Sequence, residues 1–134
     1  MLIFMRRITL TILFSIFAVS AISLFAQDDL AQYQTWMKTA AGASRKASQA
    51  VAAKDTAAAA TEAGNMAAAF DGIATFWKAK GNADAVKFAE TARDAGKAAA
   101  AATSSDAQAD ALKPVQAQCG GCHAITRAGN NFKQ

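Results

Sequence analysis

The sequence predicts an all-α protein built as an antiparallel four-helix bundle. Three observations carry this. Beyond residue 26, Ala, Lys, Gln and Glu dominate, and these residues favour helix. Val and Ile are sparse, and no stretch alternates as a half-buried strand would. Apolar residues instead recur at three-then-four spacing in four stretches, each closed by a short polar or glycine-containing break.

The first stretch predicts a helix over 29–53. Leu30, Tyr33, Met37, Ala40, Ser44, Ala47 and Val51 fall on one face, and Asp28 or Asp29 can cap its start. The second begins at the capping residue Asp55 and carries Ala59, Ala63, Met66, Phe70, Ile73 and Trp77. "KGNAD" ends it, with Gly81 as the cap and Asn82 opening the third. The third carries Ala85, Phe88, Ala92, Ala95 and Ala99, and "TSSD" at 103–106 breaks it. The fourth runs to about Arg127, with Leu112, Val115, Cys119 and Cys122 inward. Pro114 lies inside it and predicts a kink or a late start. Gly120 and Gly121 predict a weakened turn that another group can approach closely.

The first 26 residues stand apart. Arg6 and Arg7 precede an almost wholly apolar run over 8–25, then small residues and the polar "QDD", in the order of a secretory signal. Cleavage is expected after Ala26, with Ser23 as a second candidate. An uncleaved anchor is the alternative, because about 18 apolar residues is near the lower limit for a membrane span. Cleavage would leave 27–134 as a single domain of 108 residues and lower the formal charge from +4 to +2. So weak a charge, without like-charge blocks, gives no argument for nucleic-acid binding. Roughly a third of this domain is alanine. Buried alanine removes little apolar area from water, so something bulky must fill the interior, and a cofactor is one candidate.

Short connections fix the neighbours. The start of the first helix lies beside the end of the fourth, and the second-to-third connection lies at that same end. Tyr33, Trp36, Met37, Phe70, Phe76, Trp77 and Phe88 all fall toward it, so a pocket is expected there, at the end that carries the cysteines.

The chain has two cysteines and one histidine, and all three stand in "CGGCH" at 119–123. C-x-x-C-H is the attachment signature of c-type haem. Two thiols one turn apart can form thioethers to the two vinyl groups of one porphyrin, and His123 then ligates the iron. Three alternatives explain less. A zinc site needs about four ligands, and the motif supplies three. A redox C-x-x-C belongs near a βαβ pattern, and none is visible. A plain disulfide suits an exported protein but leaves His123 unexplained. One covalent haem c near one end of the bundle is therefore expected. Export fits it, because haem is attached to such motifs outside the cytoplasm, by attachment machinery that would be a partner of this chain.

With this motif near the C-terminus of four helices, and with Arg127 four places after His123 in "CHAITR", the sequence resembles the class II c-type cytochromes: cytochrome c′ and its low-spin relatives of the c-556 kind. The resemblance covers 27–134. It implies that Arg127 lies near a haem propionate or the proximal histidine. Thr126 stands where the family commonly has an aromatic residue, and the connection between helices two and three is shorter than in many cytochromes c′. Without a second histidine, the sixth iron position falls to methionine, lysine, water or nothing. Met37 is level with His123 on the antiparallel fourth helix, whereas Met66 lies too far away and reads as core filler. The position of Met37 in "YQTWMK" is similar to the family's distal position, where low-spin members carry a ligating methionine. High-spin members carry an apolar residue there and leave the iron five-coordinate.

The expected function is that of a periplasmic one-electron carrier with His/Met-ligated haem, not an enzyme, meeting redox proteins through a small transient interface. Lys38, Arg127 and Lys133 are expected to supply positive charge near the haem edge. The alternative is a five-coordinate, cytochrome c′-type protein that binds NO or CO; a metal-free helical interaction module is a remote third. The resemblance also allows a homodimer through the first two helices, where Ala40, Ala41, Gly42 and Ala43 would permit close approach.

Overall fold

The computed structural model describes residues 29–128 together with 131 and 132. The expected signal segment and Lys133 lie outside these residues. The described chain divides between Gln32 and Tyr33. Residues 29–32 are helical, and the unit from Tyr33 onward holds the bundle and the cysteine cluster.

Four helices, the first from residue 33 onward, make this unit, as the sequence predicts. We number them α1, described over 29–52, α2 (Thr56–Ala79), α3 (Ala83–Ala101) and α4 (Ser105–Thr126). Two-residue strands β1 (Arg127–Ala128) and β2 (Asn131–Phe132) pair antiparallel after α4, an element absent from the sequence expectation. Among the described residues, no helix is long and apolar enough to cross a membrane.

Local chemistry sets each boundary. Lys54 adopts a left-handed conformation, φ 58°. Its N–H donates to the Val51 carbonyl at 3.0 Å, and the Asp55 N–H donates to Ala50 at 2.9 Å, which closes α1 in a Schellman motif. The Asp55 carboxylate then accepts the Ala58 N–H at 2.9 Å and caps α2. The same device recurs after α2. Gly81 takes φ 69°, and the Asn82 N–H reaches Trp77 O at 3.1 Å. Asn82 in turn accepts the Ala85 N–H at 3.0 Å to cap α3. Gly81 thus sits one place past the cap, which is Lys80. Ser104 caps α4 through the Ala107 N–H. The helix runs unbroken past Pro114, so the late start does not occur.

The helices form a ring of neighbours. α2 packs on α3 and α3 on α4, while the α2–α4 diagonal barely touches. Residues of α1 share a groove with α2 and a cleft with α4. Gly96 lets α3 approach α2 closely, since a Cβ there would meet the Ala63 carbonyl and Met66 Cε, each at 3.0 Å. Met66 is fully buried, as core filler should be. At the end where α4 starts, Gln108 is also fully buried, and its Nε2 donates to Thr56 O at 2.9 Å across the bundle.

Candidate functional site

Cys119, Cys122 and His123 occupy the last two turns of α4. Cys122 is buried, while Cys119 and His123 are half-buried. Both thiols are free. Burial pushes both up from the ordinary cysteine value; for Cys122 the Thr126 hydroxyl opposes this and Cys119 adds to it. Protonated thiols of this kind are the opposite of the activated thiolate that redox C-x-x-C motifs need. The redox-disulfide alternative loses ground here.

His123 holds the most informative atom. Its Nε2 is buried and has no hydrogen-bond partner among the described residues. Leaving such a nitrogen unpaired costs about 1–3 kcal/mol. Burial, then the Arg127 guanidinium, holds the imidazole below its usual pKa, so the neutral, ligating form is favoured.

Around His123, the structure brings together Met37 of α1, Phe70 and Ile73 of α2, Phe88 of α3, and both cysteines, about a small cavity of 20 Å³. Met37, Phe70, Cys119 and His123 also border the larger cleft of 760 Å³ between α1 and α4. That volume lies within the range of about 300–1,000 Å³ typical of small-molecule and cofactor sites. Gly121 explains how Phe88 comes so close: a Cβ there would meet Phe88 Cε1 at 2.5 Å. The close approach predicted for the glycine pair is thus real at Gly121, and Phe88 makes it. Gly120 faces open space.

Four expected pocket residues, Trp36, Tyr33, Phe76 and Trp77, sit elsewhere. Trp36 is half-buried over Gly72 of α2, where a Cβ would collide with its indole. It lines the separate α1–α2 groove of 640 Å³, and Lys38 lines that groove too, which removes Lys38 from the cysteine site. Tyr33 and Trp77 line neither the cavity nor the cleft. They are buried in an aromatic cluster with Phe76: Tyr33 stacks on Phe76 at 4.3 Å and meets Trp77 edge-on at 5.6 Å. This cluster adjoins the site, since Cys122 and Arg127 both act on the Tyr33 phenol. Burial pushes that phenol up to about 12. The Trp77 indole opposes the shift without reaching hydrogen-bond geometry. Arg127, the C-cap of α4, is exposed and acts on both His123 and Tyr33.

The small-residue stripe expected at a dimer face is also split. Ala40 and Ala43 are buried within the bundle. Ala41 borders the α4 cleft and Gly42 the α2 groove, so the four do not present one surface.

Sequence reasoning missed the polar side of the cleft. Spacing puts Ser44 inward but leaves Ser48, Arg45, Lys113 and Gln116 as solvated surface, yet all five line it. Charged residues on a helix carry no sign of which neighbour they face.

Among the described residues, no three His, Cys, Asp or Glu side chains converge as a set that could hold a bare metal ion. The arrangement offers instead two protonated thiols, one unpartnered imidazole nitrogen, one thioether and an apolar wall. These suit a planar group bonded through the thiols and ligated by the imidazole. Comparison of the chain with protein-family models, curated proteins and solved structures finds no match.

Proposed function

We propose that this chain is an exported monohaem c-type cytochrome that carries single electrons between redox proteins. In this reading Cys119 and Cys122 would hold the haem as thioethers, and His123 and Met37 would ligate its iron. The observation that carries it is the buried, unpartnered His123 Nε2, in a side chain that lines one small cavity with Met37, Cys119 and Cys122. A buried polar atom left unsatisfied calls for an explanation, and a metal bond supplies one.

The haem would supply a one-electron iron couple, whose potential His/Met ligation raises. The chain's own residues do the rest. Phe70, Ile73 and Phe88 keep water from the ligand positions. Burial and Arg127 keep His123 neutral. Fixed ligands on rigid helices keep reorganisation small when an electron arrives. The resemblance to class II c-type cytochromes, carried by "CGGCH" and Arg127, supports the same reading, and periplasmic localisation rests on the N-terminal signal pattern.

A second reading follows from Met37, which borders the open cleft as well as the small cavity. A thioether that can swing into the cleft would leave the iron five-coordinate and open to NO or CO.

The absorption spectrum of the holoprotein separates the two, taken ferric and ferrous, with and without carbon monoxide. The carrier reading expects a low-spin spectrum with a ferric sulfur-to-iron band, absent in Met37→Ala and inert to carbon monoxide. A high-spin spectrum that shifts at once with carbon monoxide would transfer the argument to gas binding. Protein without covalent haem, after expression with the attachment machinery, would end both.

A further inference from the structure

The cleft between α1 and α4 is longer than the cysteine cluster needs. It runs from Met37 and His123 at one end to Val51 and Ala109 at the other, about 21 Å at 1.5 Å per residue. Cys119 lines it and is half-buried. Along α4 both cysteines lie on the Ala109 side of His123. In the haem reading, the thioethers therefore hold one edge of the porphyrin beside this cleft, and the rest of the cleft continues past that edge.

The helix that forms one bank of the cleft carries charge of one sign. From residue 33 to 52, α1 has Lys38, Arg45 and Lys46 and no acid. With His123 neutral, α2 and α4 each have one more acid than base, and α3 is balanced. The positive charge of the four helices is thus gathered on α1. All three of its cations are exposed, but they are not equivalent. Lys46 pairs with Glu62 of α2 at 3.6 Å, and it lines the α1–α2 groove together with Lys38. Arg45 lines the α1–α4 cleft itself and makes no ion pair or hydrogen bond among the described residues. Lys113, on the opposite bank, is already paired with Asp110.

The position of Arg45 matters as much as its charge. Met37 is level with His123, so Ala41 is level with Cys119, and both line the cleft. Arg45 is one turn farther, about 6 Å along α1. Arg127 is exposed too, but it lies on the other side of His123 from the cysteines and lines neither cavity. An uncompensated surface cation contributes little to stability. It draws in an oppositely charged partner and fixes how that partner lands.

We propose that the outer face of α1, centred on Arg45, docks an acidic one-electron redox protein over the α1–α4 cleft, so that the electron crosses at the Cys119 edge of the porphyrin. This rests on the haem reading above. One electron passes between the iron and the redox centre of the partner, and no bond forms or breaks. A carboxylate of the partner pairs with the Arg45 guanidinium as a two-pronged contact. Lys38 and Lys46 strengthen the attraction from the neighbouring groove.

The test uses holoprotein of wild type, Arg45→Glu, Lys38→Glu and the charge-matched control Lys97→Glu, whose residue is exposed on α3. Mass spectrometry first establishes one haem per chain. The probe is plastocyanin, a copper protein with an acidic face. Stopped flow follows its oxidation of the ferrous holoprotein from low to high salt. Amide chemical shifts of the holoprotein are then mapped with redox-inactive, cadmium-loaded plastocyanin. At low salt Arg45→Glu should slow the reaction about tenfold, Lys38→Glu about threefold and Lys97→Glu less than about twofold. Salt should close these gaps, because it screens the attraction. Shifts should concentrate on α1 and on the α4 bank from Leu112 to Cys119. Haem present, with Arg45→Glu matching Lys97→Glu in rate or with the shifts away from α1, overturns the docking proposal alone. Holoprotein that binds phosphatidylglycerol vesicles through Arg45 and leaves plastocyanin unbound replaces the protein partner with a membrane surface and also overturns it. Haem absent from the wild type overturns it together with the carrier reading.

Discussion

The α2–α3 wall and the α1–α4 wall of the bundle are both lined with small residues, yet one is closed and the other open. Between α2 and α3, Gly96 lies against the Ala63 carbonyl, Met66 Cε and Ala67 Cβ, all within 3.1 Å of where a Cβ would stand. Ala59, Ala63, Ala85, Ala89, Ala92 and Ala99 are buried there to within a few per cent. Between α1 and α4, Ala40, Ala41 and Ser44 face Ala109, Leu112 and Val115 across a cleft of 760 Å³. Small side chains close an interface only when the backbones they belong to come together. Across α2–α3 the backbones do come together at Gly96, and Met66 fills the remaining gap. The large groups on α1 and α4 pack against their other neighbours: Tyr33 of α1 stacks on Phe76 of α2, beside Trp77, and Gly121 of α4 takes Phe88 of α3.

The largest effect that would sharpen this contrast is removal of the plug in the closed wall. Met66→Ala should cost about 2–5 kcal/mol, since α2 and α3 are already in contact and cannot collapse further. Leu112→Ala, half-buried beside the open cleft, should cost less than half of that. Urea denaturation of both variants measures the pair, and equal losses would mean that the cleft is as well packed as the closed wall.

Next in size is the aromatic corner where Tyr33 of α1 meets Phe76 and Trp77 of α2. Tyr33 is buried with a folded-state pKa of about 12, against an ordinary value of 10.0. Below pH 10 it is neutral both folded and unfolded and contributes no pH dependence. Between about pH 10 and 12 the unfolded chain releases the proton and the folded chain keeps it, so stability falls. The loss should reach roughly 2–3 kcal/mol by pH 12. Tyr33→Phe removes this one contribution, so the wild type should lose stability faster than the variant over that window. Parallel pH profiles would mean that the phenol is not held in an apolar corner.

A smaller effect tests the closed wall directly. In an exposed helix interior, Gly→Ala gains about 1 kcal/mol. Gly96→Ala should instead lose about 1–2 kcal/mol, because the Ala63 carbonyl is backbone and cannot step aside. Ser44→Ala on the open wall should stay within about 0.5 kcal/mol. Thermal unfolding of the two variants is the check, and a stabilised Gly96→Ala would show that the wall has slack.

The smallest lies in the α1–α2 turn. Lys54 holds φ 58° with a side chain that disfavours it. Lys54→Gly should gain up to about 1 kcal/mol without moving either wall, and a loss of stability would mean that α1 does not end in this motif.

Much of this was legible in the residues. All four helix spans follow from three-then-four spacing and from Asp55, Gly81, Asn82 and "TSSD", because capping and left-handed turns are local chemistry. The cysteine cluster was legible because residues three and four apart on a helix share one face by local geometry. Trp36 shows the limit. It is adjacent to Met37 in sequence but about 100° round the helix, which turns it toward α2 instead of α4. Arg45 shows it again, since an arginine facing a cleft and one facing solvent read alike.

The sequence by itself determined four helices, the N-caps Asp55 and Asn82, the helix order around the ring and the place of both thiols and the imidazole on one end of α4. These depend on interactions within a few residues and on connections too short to cross the bundle. Only the tertiary structure decided that α2–α3 is shut and α1–α4 open, that Met37 and Phe88 reach His123 while Trp36, Tyr33 and Trp77 do not, and that Arg45 lines the cleft. Each of these depends on how far apart two helices settle. That distance is set by the largest side chain caught between them, which no single helix's periodicity contains.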